Sequence, residues 1–274
     1  MEIKVEIENQ SQYAQQLYAR CKILGKNSKK QFLYKYMDMD TALKCLQNSE
    51  LRFAEPSSWK DQYEKLFYTA DYHKVDPTKS YPKTIFACCF TKEKVNEAAW
   101  KTYIYSQSGL SGRCVQFKIN RSKFRIALSK ALKNNGVAYE GQCIYKQIDK
   151  EITHLTDKKS PNYSAIFGKG IDLSGFLSLL LVKRKCFRYE NETRFFLDLD
   201  NKNAFKVHGR KKTGKFIYVK LNWTDFIEAI VIDERCSDME LNVLTTACHK
   251  AGIKIKPTRN DLYAVPFKHP ITIP

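Results

Sequence analysis

The sequence predicts a single mixed α+β domain with a central, mostly antiparallel sheet flanked by helices. Three observations predict this fold class. Apolar residues make up 43% of the 274 residues, which is enough to form a core. Alternating and wholly apolar strand patterns recur along the chain, with helical patterns between them. The sequence contains no repeat, low-complexity tract or clear linker that would divide it.

Residues 1–31 predict a helical arm ahead of the main domain, which we assign to residues 32–274. Tyr13, Leu17 and Cys21 recur at helical spacing in this arm. A polar, glycine-containing stretch follows them and connects the arm to the domain.

Strand and helix patterns then alternate through the domain. Strand patterns occupy residues 32–36, 51–55, 84–90, 113–119, 137–145, 204–221, 226–235 and 253–259. Helical patterns occupy part of 59–72 and residues 94–106, 121–134, 146–158, 171–182 and 238–250, and one more helix follows a cap at Asp38 or Asp40. The run 84–90, TIFACCF, is almost wholly apolar and predicts a central strand that is buried on both faces.

One charged segment, Leu181 to Asp198, carries residue types that suit a catalytic site. If its second half is extended, the period of two places Glu190, Glu192 and Arg194 on one face. Two carboxylates beside an arginine suit acid–base or cation-stabilising chemistry, because neighbouring charges shift each other's pKa. The alternative is a solvated strand face on which Glu192 pairs with Arg194 and Glu190 with a nearby lysine.

The formal charge of +18, from 47 basic and 29 acidic residues, predicts a polyanionic partner, with nucleic acid as the first candidate. Three basic stretches would together form a positive groove: 121–133, 183–188 and 210–215. Tyrosine and phenylalanine residues lie among them, which favours a single-stranded nucleic acid. A solvated, lysine-rich surface is the alternative.

The nine cysteines form no C-x-x-C pair, and no signal sequence precedes them, so we expect reduced thiols in a cytoplasmic protein. No apolar run approaches the roughly 20 residues that a membrane helix needs. The five histidines are scattered without metal-ligand spacing, and no metal site is expected.

Several motifs resemble, in order, those of the bacterial domain-of-unknown-function family 2971. That family opens with Y-K-Y, a helix, an L-x-F strand and a loop that ends N-D-P-F-E. The matching segments here are FLYKY, ELRFAEPSSW and Lys60 to Glu64, which keeps the acidic positions and lacks the Asn and the Pro. ACCFT at 87–91 is similar to the family's C-F-S strand, and Trp100 with Tyr103 is similar to its W-x-x-Y helix.

Two later blocks continue the resemblance, which covers about residues 32–259. GRCVQF at 112–117 is similar to the family's G-x-C-x-x-F strand. The last block fits K-x-x-x-W-x-x-E-x-E-x-R, with phenylalanine in place of tryptophan, and its residues are Lys183, Phe187, Glu190, Glu192 and Arg194.

The family in turn remotely resembles the layout of DarT-type ADP-ribosyltransferases. This resemblance implies an ADP-ribosyltransferase-like split sheet, NAD as the ADP-ribose donor, and Glu192 as the catalytic carboxylate with Glu190 as its neighbour. Cleavage of the nicotinamide–ribose bond develops an oxocarbenium-like cation, which a carboxylate stabilises. The same carboxylate can orient or deprotonate the acceptor.

The resemblance also implies two sets of binding residues. The expected NAD contacts are Tyr34, Lys35, Tyr36, Trp100, Tyr103 and Arg194. The expected acceptor contacts are Asp61, Glu64, Lys183, Arg184, Lys185 and Arg188. Each set has a structural alternative, because strand tyrosines and two aromatics at i and i+3 also pack in cores, and acidic residues also cap helices.

Two functions from different classes follow from these observations. The first is an ADP-ribosyltransferase-like enzyme that modifies nucleic acid, or a protein, in bacterial defence or toxicity. The second is a non-catalytic nucleic-acid-binding module of a defence or mobile-element system.

Overall fold

The structure is a computed structural model. In the part of the chain that it describes, the central element is a branched, mixed sheet of eleven strands. The described residues are 15–25, 30–69, 85–94, 97–98, 100, 113–133, 136–147, 149–150, 152–153, 157, 159, 173–199, 211–213 and 215–261. Together with helices on both faces, this sheet confirms the predicted α+β class.

Thirteen strands lie within the described residues. They are β1 Cys21–Leu24, β2 Phe32–Asp38, β3 Glu50–Ala54, β4 Ile85–Thr91, β5 Cys114–Asn120, β6 Val137–Gln142, β7 Ile144–Lys146, β8 Val182–Arg184, β9 Glu192–Asp198, β10 Lys211–Thr213, β11 Phe216–Lys220, β12 Ile227–Ile232 and β13 Thr258–Arg259. β7 and β8 pair with each other as a separate ribbon.

The labelled helices are α1 Met39–Asn48, α2 Gln62–Thr69, α3 Arg121–Leu132, α4 Leu173–Leu179 and α5 Asp238–Lys250. Short 3₁₀ helices cover Pro56–Ser58, Lys185–Glu190 and Trp223–Asp225. Sequence signals explain several of these ends. The Asp38 side chain accepts from Thr41 N–H at the start of α1, and Ser237 with Glu240 forms a capping box at the start of α5.

The main path through the sheet is β1-β6-β9-β4-β2-β5-β12-β13. The pairs β1–β6 and β12–β13 are parallel, whereas the other pairs on this path are antiparallel, as the sequence predicted. Each sheet face carries its own apolar core. Along β9, Phe195 and Leu197 enter the core with α1, α3 and α5, whereas Phe196 enters the core with α4.

The sheet divides at β4. One edge of β4 pairs with β9 along its whole length. The other edge is shared, because Thr91 pairs with Tyr34 of β2 while Ala87 pairs with Ala54 of β3. In the gap between β2 and β3, Lys35 Nζ donates to the Cys89 carbonyl oxygen at 2.9 Å, so the lysine supplies the donor that a continuous neighbouring strand would provide.

Two sequence predictions at the ends of elements are wrong. Residues 15–20 are helical, but Cys21 to Leu24 form β1, which pairs with β6 in the main sheet. The charged strand is shorter than expected because Lys185–Glu190 is a 3₁₀ helix and Asn191 has a left-handed φ of 41°. The predicted helices at 94–106 and 146–158 and the turn of the predicted hairpin at 208–215 lie only in part within the described residues.

The helix predicted at 121–134 is confirmed as α3, but part of its charge is internal. Arg121 and Arg125 are 5% and 2% exposed and both pair with the buried Glu140. Arg125 also donates to the carbonyl oxygens of Tyr18 and Cys21, which ties the N-terminal segment to α3. These two arginines therefore cannot contribute to a phosphate-binding groove.

All nine cysteines are free thiols, and Cys186 is exposed. No helix in the described ranges is long and apolar enough to cross a membrane.

Candidate functional site

A pocket of about 380 Å³ lies at the end of the sheet where β2, β4 and β9 meet. This volume is in the range of small-molecule sites. Its lining comes from β2, β4, the segment before α2, α2 itself, and the segment from β8 to β9. The lining residues are Tyr34, Tyr36, Trp59, Lys60, Asp61, Glu64, Cys89, Phe90, Thr91, Lys183, Phe187, Tyr189, Glu190 and Glu192.

The structure brings half of the predicted site residues into this one pocket. Those that line it are Tyr34, Tyr36, Asp61, Glu64, Lys183, Glu190 and Glu192. Arg194 and Arg184 contact lining residues from outside the cavity. Lys35, Trp100, Lys185 and Arg188 do not line it, and Tyr103 lies outside the described residues.

Lys183 is the central cation of the pocket floor. Its Nζ donates to Glu190 Oε2 at 2.6 Å and to Glu192 Oε2 at 2.8 Å, and it lies 3.2 Å from Glu64 Oε1. The Lys183 side chain is only 9% exposed. The sequence indicated Lys183 as an acceptor contact, but its geometry shows that it holds three carboxylates together.

Arg194 lies behind these carboxylates and is 1% exposed. Its Nε donates to Glu192 Oε1 at 3.0 Å, and its Nη2 donates to Glu64 Oε2 at 2.8 Å. Its Nη1 donates to the Leu180 carbonyl oxygen at 2.5 Å. The guanidinium lies 4.2 Å from the centroid of the Trp59 ring. Arg194 therefore fixes the floor and one wall, and does not enter the cavity as a predicted NAD contact would.

When all three of its carboxylates are ionised, the connected cluster of charged groups on the floor carries one excess negative charge. It contains three carboxylates, Glu64, Glu190 and Glu192, against two cations, Lys183 and Arg194. Burial alone raises the pKa of Glu192, but Arg194 and Lys183 outweigh it and hold that pKa well below its usual range. Glu192 is therefore a permanently ionised group that its neighbours hold in place.

Glu190 differs from Glu192 in both position and exposure. It ends the 3₁₀ helix, so the prediction that the two carboxylates share a strand face is wrong, and Lys183 brings them together instead. The Glu190 side chain is 31% exposed. Burial raises its pKa above the ordinary value, and Lys183 opposes this shift only in part. A carboxylate of this kind can exchange protons at the pocket mouth.

The raised pKa of Glu190 gives a testable dependence of stability on pH. The folded protein holds the Glu190 proton to higher pH than the unfolded chain, so this group lowers stability as pH rises from about 4.5 toward neutrality. We expect the free energy of unfolding of wild type, relative to Glu190→Gln, to fall across this window by less than about 1.4 kcal/mol per pH unit. Urea denaturation of both proteins at several pH values measures this difference, and a difference that grows with pH would contradict the assignment.

Aromatic side chains form the walls above this floor. Tyr34 and Tyr36 project from β2, and Trp59, Phe187 and Tyr189 project from the segments on the opposite side. The Tyr36 hydroxyl donates to the Lys94 carbonyl oxygen at 3.3 Å, which orients the ring. Flat, aromatic walls of this kind suit a planar ring as ligand.

Trp100 and Lys35 do not line the pocket but contact residues that do. Trp100 is 4% exposed and packs edge-on against Tyr36, with ring centroids 5.2 Å apart, so the core alternative is confirmed for it. Because side chains alternate along β2, Lys35 points away from Tyr34 and Tyr36 and bonds to the Cys89 carbonyl oxygen. Neither residue is placed to contact NAD in this pocket.

The predicted basic cluster separates into three environments. Arg184 Nε donates to Asp61 Oδ2 at 3.0 Å, at the rim of the pocket. Lys185 and Arg188 are exposed. Side chains at i and i+3 of a 3₁₀ helix overlie each other, so these two cations share one face while Phe187 and Glu190 share the face that lines the pocket.

Sequence reasoning missed several lining residues, among them Trp59, Phe90 and Tyr189. Trp59 follows Pro56–Ser58 and has no periodic pattern around it, so only its place in the block ELRFAEPSSW could have indicated it. Phe90 belongs to an apolar strand in which every residue resembles core.

The thiols near the floor are packing groups. Cys89 lines the pocket, and Cys143 donates its backbone N–H to the Glu192 carbonyl oxygen at 3.0 Å. Burial raises the pKa of both thiols well above the usual value, with a further contribution from Glu192. A neutral thiol is a poor nucleophile, so neither cysteine suits covalent catalysis.

Among the described residues, no group of three or more histidine, cysteine or carboxylate side chains is arranged to hold a metal ion. The Lys183 ammonium occupies the point on which Glu64, Glu190 and Glu192 converge. Comparisons of the chain with protein-family models, with curated proteins and with solved structures found no match.

Proposed function

We propose that the protein is an NAD-dependent, ADP-ribosyltransferase-like enzyme that modifies nucleic acid, or a protein, in bacterial defence or toxicity. The observation that carries this proposal is the excess negative charge on the floor of an aromatic-walled pocket. Such a pocket favours a flat ligand with a positive charge, and the oxidised nicotinamide ring of NAD is such a ligand. The ordered motifs that resemble family 2971 support the same reading.

The reaction keeps a positive charge close to this floor throughout. When the N-glycosidic bond breaks, its electron pair passes to the nicotinamide nitrogen, which becomes neutral, and the ribosyl carbon becomes cationic. Glu192, which Arg194 and Lys183 keep ionised, stabilises this cation as a fixed charge. Because its oxygens are already bonded to two cations, Glu192 needs no rearrangement during the reaction.

We assign to Glu190 the removal of the proton from the acceptor. The acceptor nucleophile forms a bond to the ribosyl carbon and must lose a proton as it does so. Glu190 has the exposure and the raised pKa that a general base requires. Lys183 bonds to both carboxylates and keeps the proposed base close to the proposed fixed charge. This assignment divides between two carboxylates the two roles that the family resemblance implies for Glu192.

The remaining contacts follow from chemistry and position. Tyr34, Tyr36 and Trp59 line the pocket, and their rings suit stacking on the nicotinamide ring. Lys60 is exposed on the lining, and a lysine there suits the diphosphate of NAD. Lys185 and Arg188 lie on the adjacent exposed face and suit an anionic acceptor such as nucleic acid. The nine free thiols fit a reducing, cytoplasmic location.

The charge argument predicts that the pocket distinguishes oxidised from reduced dinucleotide. NAD is expected to raise the melting temperature, with about 2.7 kcal/mol of stabilisation when its concentration is 100 times Kd. NADH, whose nicotinamide ring is neutral, is expected to give a smaller shift. In Glu192→Gln the floor loses its excess charge, so the preference for NAD should shrink. Equal shifts with both dinucleotides, or no shift with either, would contradict the proposal.

The nucleic-acid-binding module remains the second candidate, and the exposed pair Lys185 and Arg188 favours it. The same thermal-shift assay separates the two functions. A shift with single-stranded DNA or RNA that disappears at high salt, without any shift with NAD, supports the binding module. Reversing both charges, Lys185→Glu with Arg188→Glu, should then abolish the nucleic-acid shift.

A further inference from the structure

Two neighbouring residues of the chain join the same two walls of the pocket at different depths. Lys183 reaches Glu64 of α2 at the floor, where the two side chains are 9% and 7% exposed. Arg184 reaches Asp61, just before α2, at the rim, where its own side chain is 37% exposed. The floor pair is shielded from solvent on both sides, whereas in the outer pair Arg184 contacts solvent and the Asp61 side chain is 10% exposed.

Two aromatic rings complete the outer connection. The Arg184 guanidinium lies 5.0 Å from the Tyr63 ring centroid and 4.9 Å from that of Phe187. Asp61 Oδ1 accepts from Tyr63 N–H at 3.0 Å, which holds the carboxylate on the first turn of α2. We call these four residues, Asp61, Tyr63, Arg184 and Phe187, the rim clasp. It joins the α2 wall to the wall that carries the 3₁₀ helix.

We propose that the rim clasp is a gate that an anionic ligand group opens by binding Arg184 in place of Asp61. The ligand chemistry is that of a phosphate or diphosphate, because the planar guanidinium pairs with phosphate through two parallel hydrogen bonds. The stacked rings keep the guanidinium at the rim when the carboxylate leaves, so Arg184 remains presented to solvent. The buried contact of Lys183 with Glu64 stays intact and acts as the hinge.

In the proposed enzyme, the gate would admit a substrate to the floor only when that substrate carries a phosphate group. This role of the gate rests on the proposed function. The gate itself is independent of NAD chemistry, because it concerns only access to the floor. Cys89 reports that access, since it lines the floor beside Glu192 and is half-buried. Of the other cysteines only Cys186 is exposed, so Cys186→Ser leaves Cys89 as the accessible thiol.

Because the raised pKa of Cys89 keeps most of this thiol protonated, a small thiol reagent labels it slowly, and the experiment compares this slow labelling rate between variants of the Cys186→Ser protein at one fixed alkaline pH. Asp61→Asn should raise this rate by about two- to fivefold, as expected for loss of a partly exposed ion pair. Inorganic pyrophosphate should raise the rate in the parent protein and have no effect in Arg184→Gln. Asp238→Asn, which breaks the surface pair with Arg259, is the matched control and should leave the rate unchanged.

Three outcomes would overturn the gate: an unchanged rate in Asp61→Asn, no acceleration by pyrophosphate in the parent protein, or acceleration by pyrophosphate that persists in Arg184→Gln. Peptide mapping confirms that the label is on Cys89, and circular dichroism confirms that each variant is folded. Because NAD is absent from the assay, a failed gate leaves the proposed function untouched, and a failed NAD assay leaves the gate testable.

Discussion

Lys183→Met is expected to lower the free energy of unfolding by about 3–5 kcal/mol at neutral pH. The substitution keeps an unbranched chain of similar length, so packing changes little. It removes the ammonium group that lies within 3.2 Å of Glu64, Glu190 and Glu192. Three converging carboxylates then remain on the floor with Arg194 as their cation, and the loss is that of an uncompensated buried charge.

Urea denaturation measures this loss of stability, and the pH dependence of the loss identifies its cause. Without Lys183 the folded protein should bind protons at the carboxylates more readily, so part of the lost stability should return as pH falls below neutrality. Lys185→Met is the matched control, because this neighbouring lysine is exposed and its replacement should change stability by no more than about 0.5 kcal/mol. A loss that is the same at every pH would contradict the electrostatic account.

Glu192→Gln is expected to remain folded, with a smaller loss of stability than Lys183→Met, and to lose ADP-ribosyl transfer by about 100-fold or more. The variant stays folded because each cation keeps a carboxylate. Arg194 retains Glu64 at 2.8 Å, and Lys183 retains Glu190 at 2.6 Å. Transfer is lost because the amide cannot supply the fixed negative charge beside the ribosyl cation.

The control for this prediction is Glu228→Gln. Glu228 pairs with Lys123 on the surface, and its replacement removes one carboxylate from the protein without touching the pocket. Transfer and melting temperature should both match wild type. If Glu192→Gln unfolds or melts far below wild type, its lost activity would carry no information about catalysis, and the separation of stability from function would be wrong.

Local sequence patterns predicted those parts of the site that lie close together in the chain. Lys183, Glu190, Glu192 and Arg194 occur within one segment, and their mutual contacts follow from local geometry. The period-2 rule also places Tyr34 and Tyr36 on one face correctly. The rule does not show which face of β2 borders the pocket, so the sequence alone does not separate Lys35 from the two tyrosines as a pocket residue.

The contacts that complete the site join distant parts of the chain, and no local pattern encodes them. Arg194 meets Glu64 across 130 residues, and Arg184 meets Asp61 across 123. Cys21 was predicted to be helical from its spacing, but pairing with β6 places it in the sheet. The turn at Asn191, which separates Glu190 from the strand, depends on a left-handed backbone that asparagine tolerates and that hydrophobic periodicity does not reveal.

The most direct test of the central claim is incubation of the protein with NAD labelled in its adenylate part, together with single-stranded DNA, duplex DNA, RNA or a bacterial lysate. Wild type and Glu192→Gln are compared under identical conditions. The pocket chemistry predicts that wild type releases nicotinamide and transfers label to one class of acceptor, and that Glu192→Gln transfers at least about 100-fold less. Intact NAD and no labelled acceptor with wild type, or equal transfer by both proteins, would contradict it.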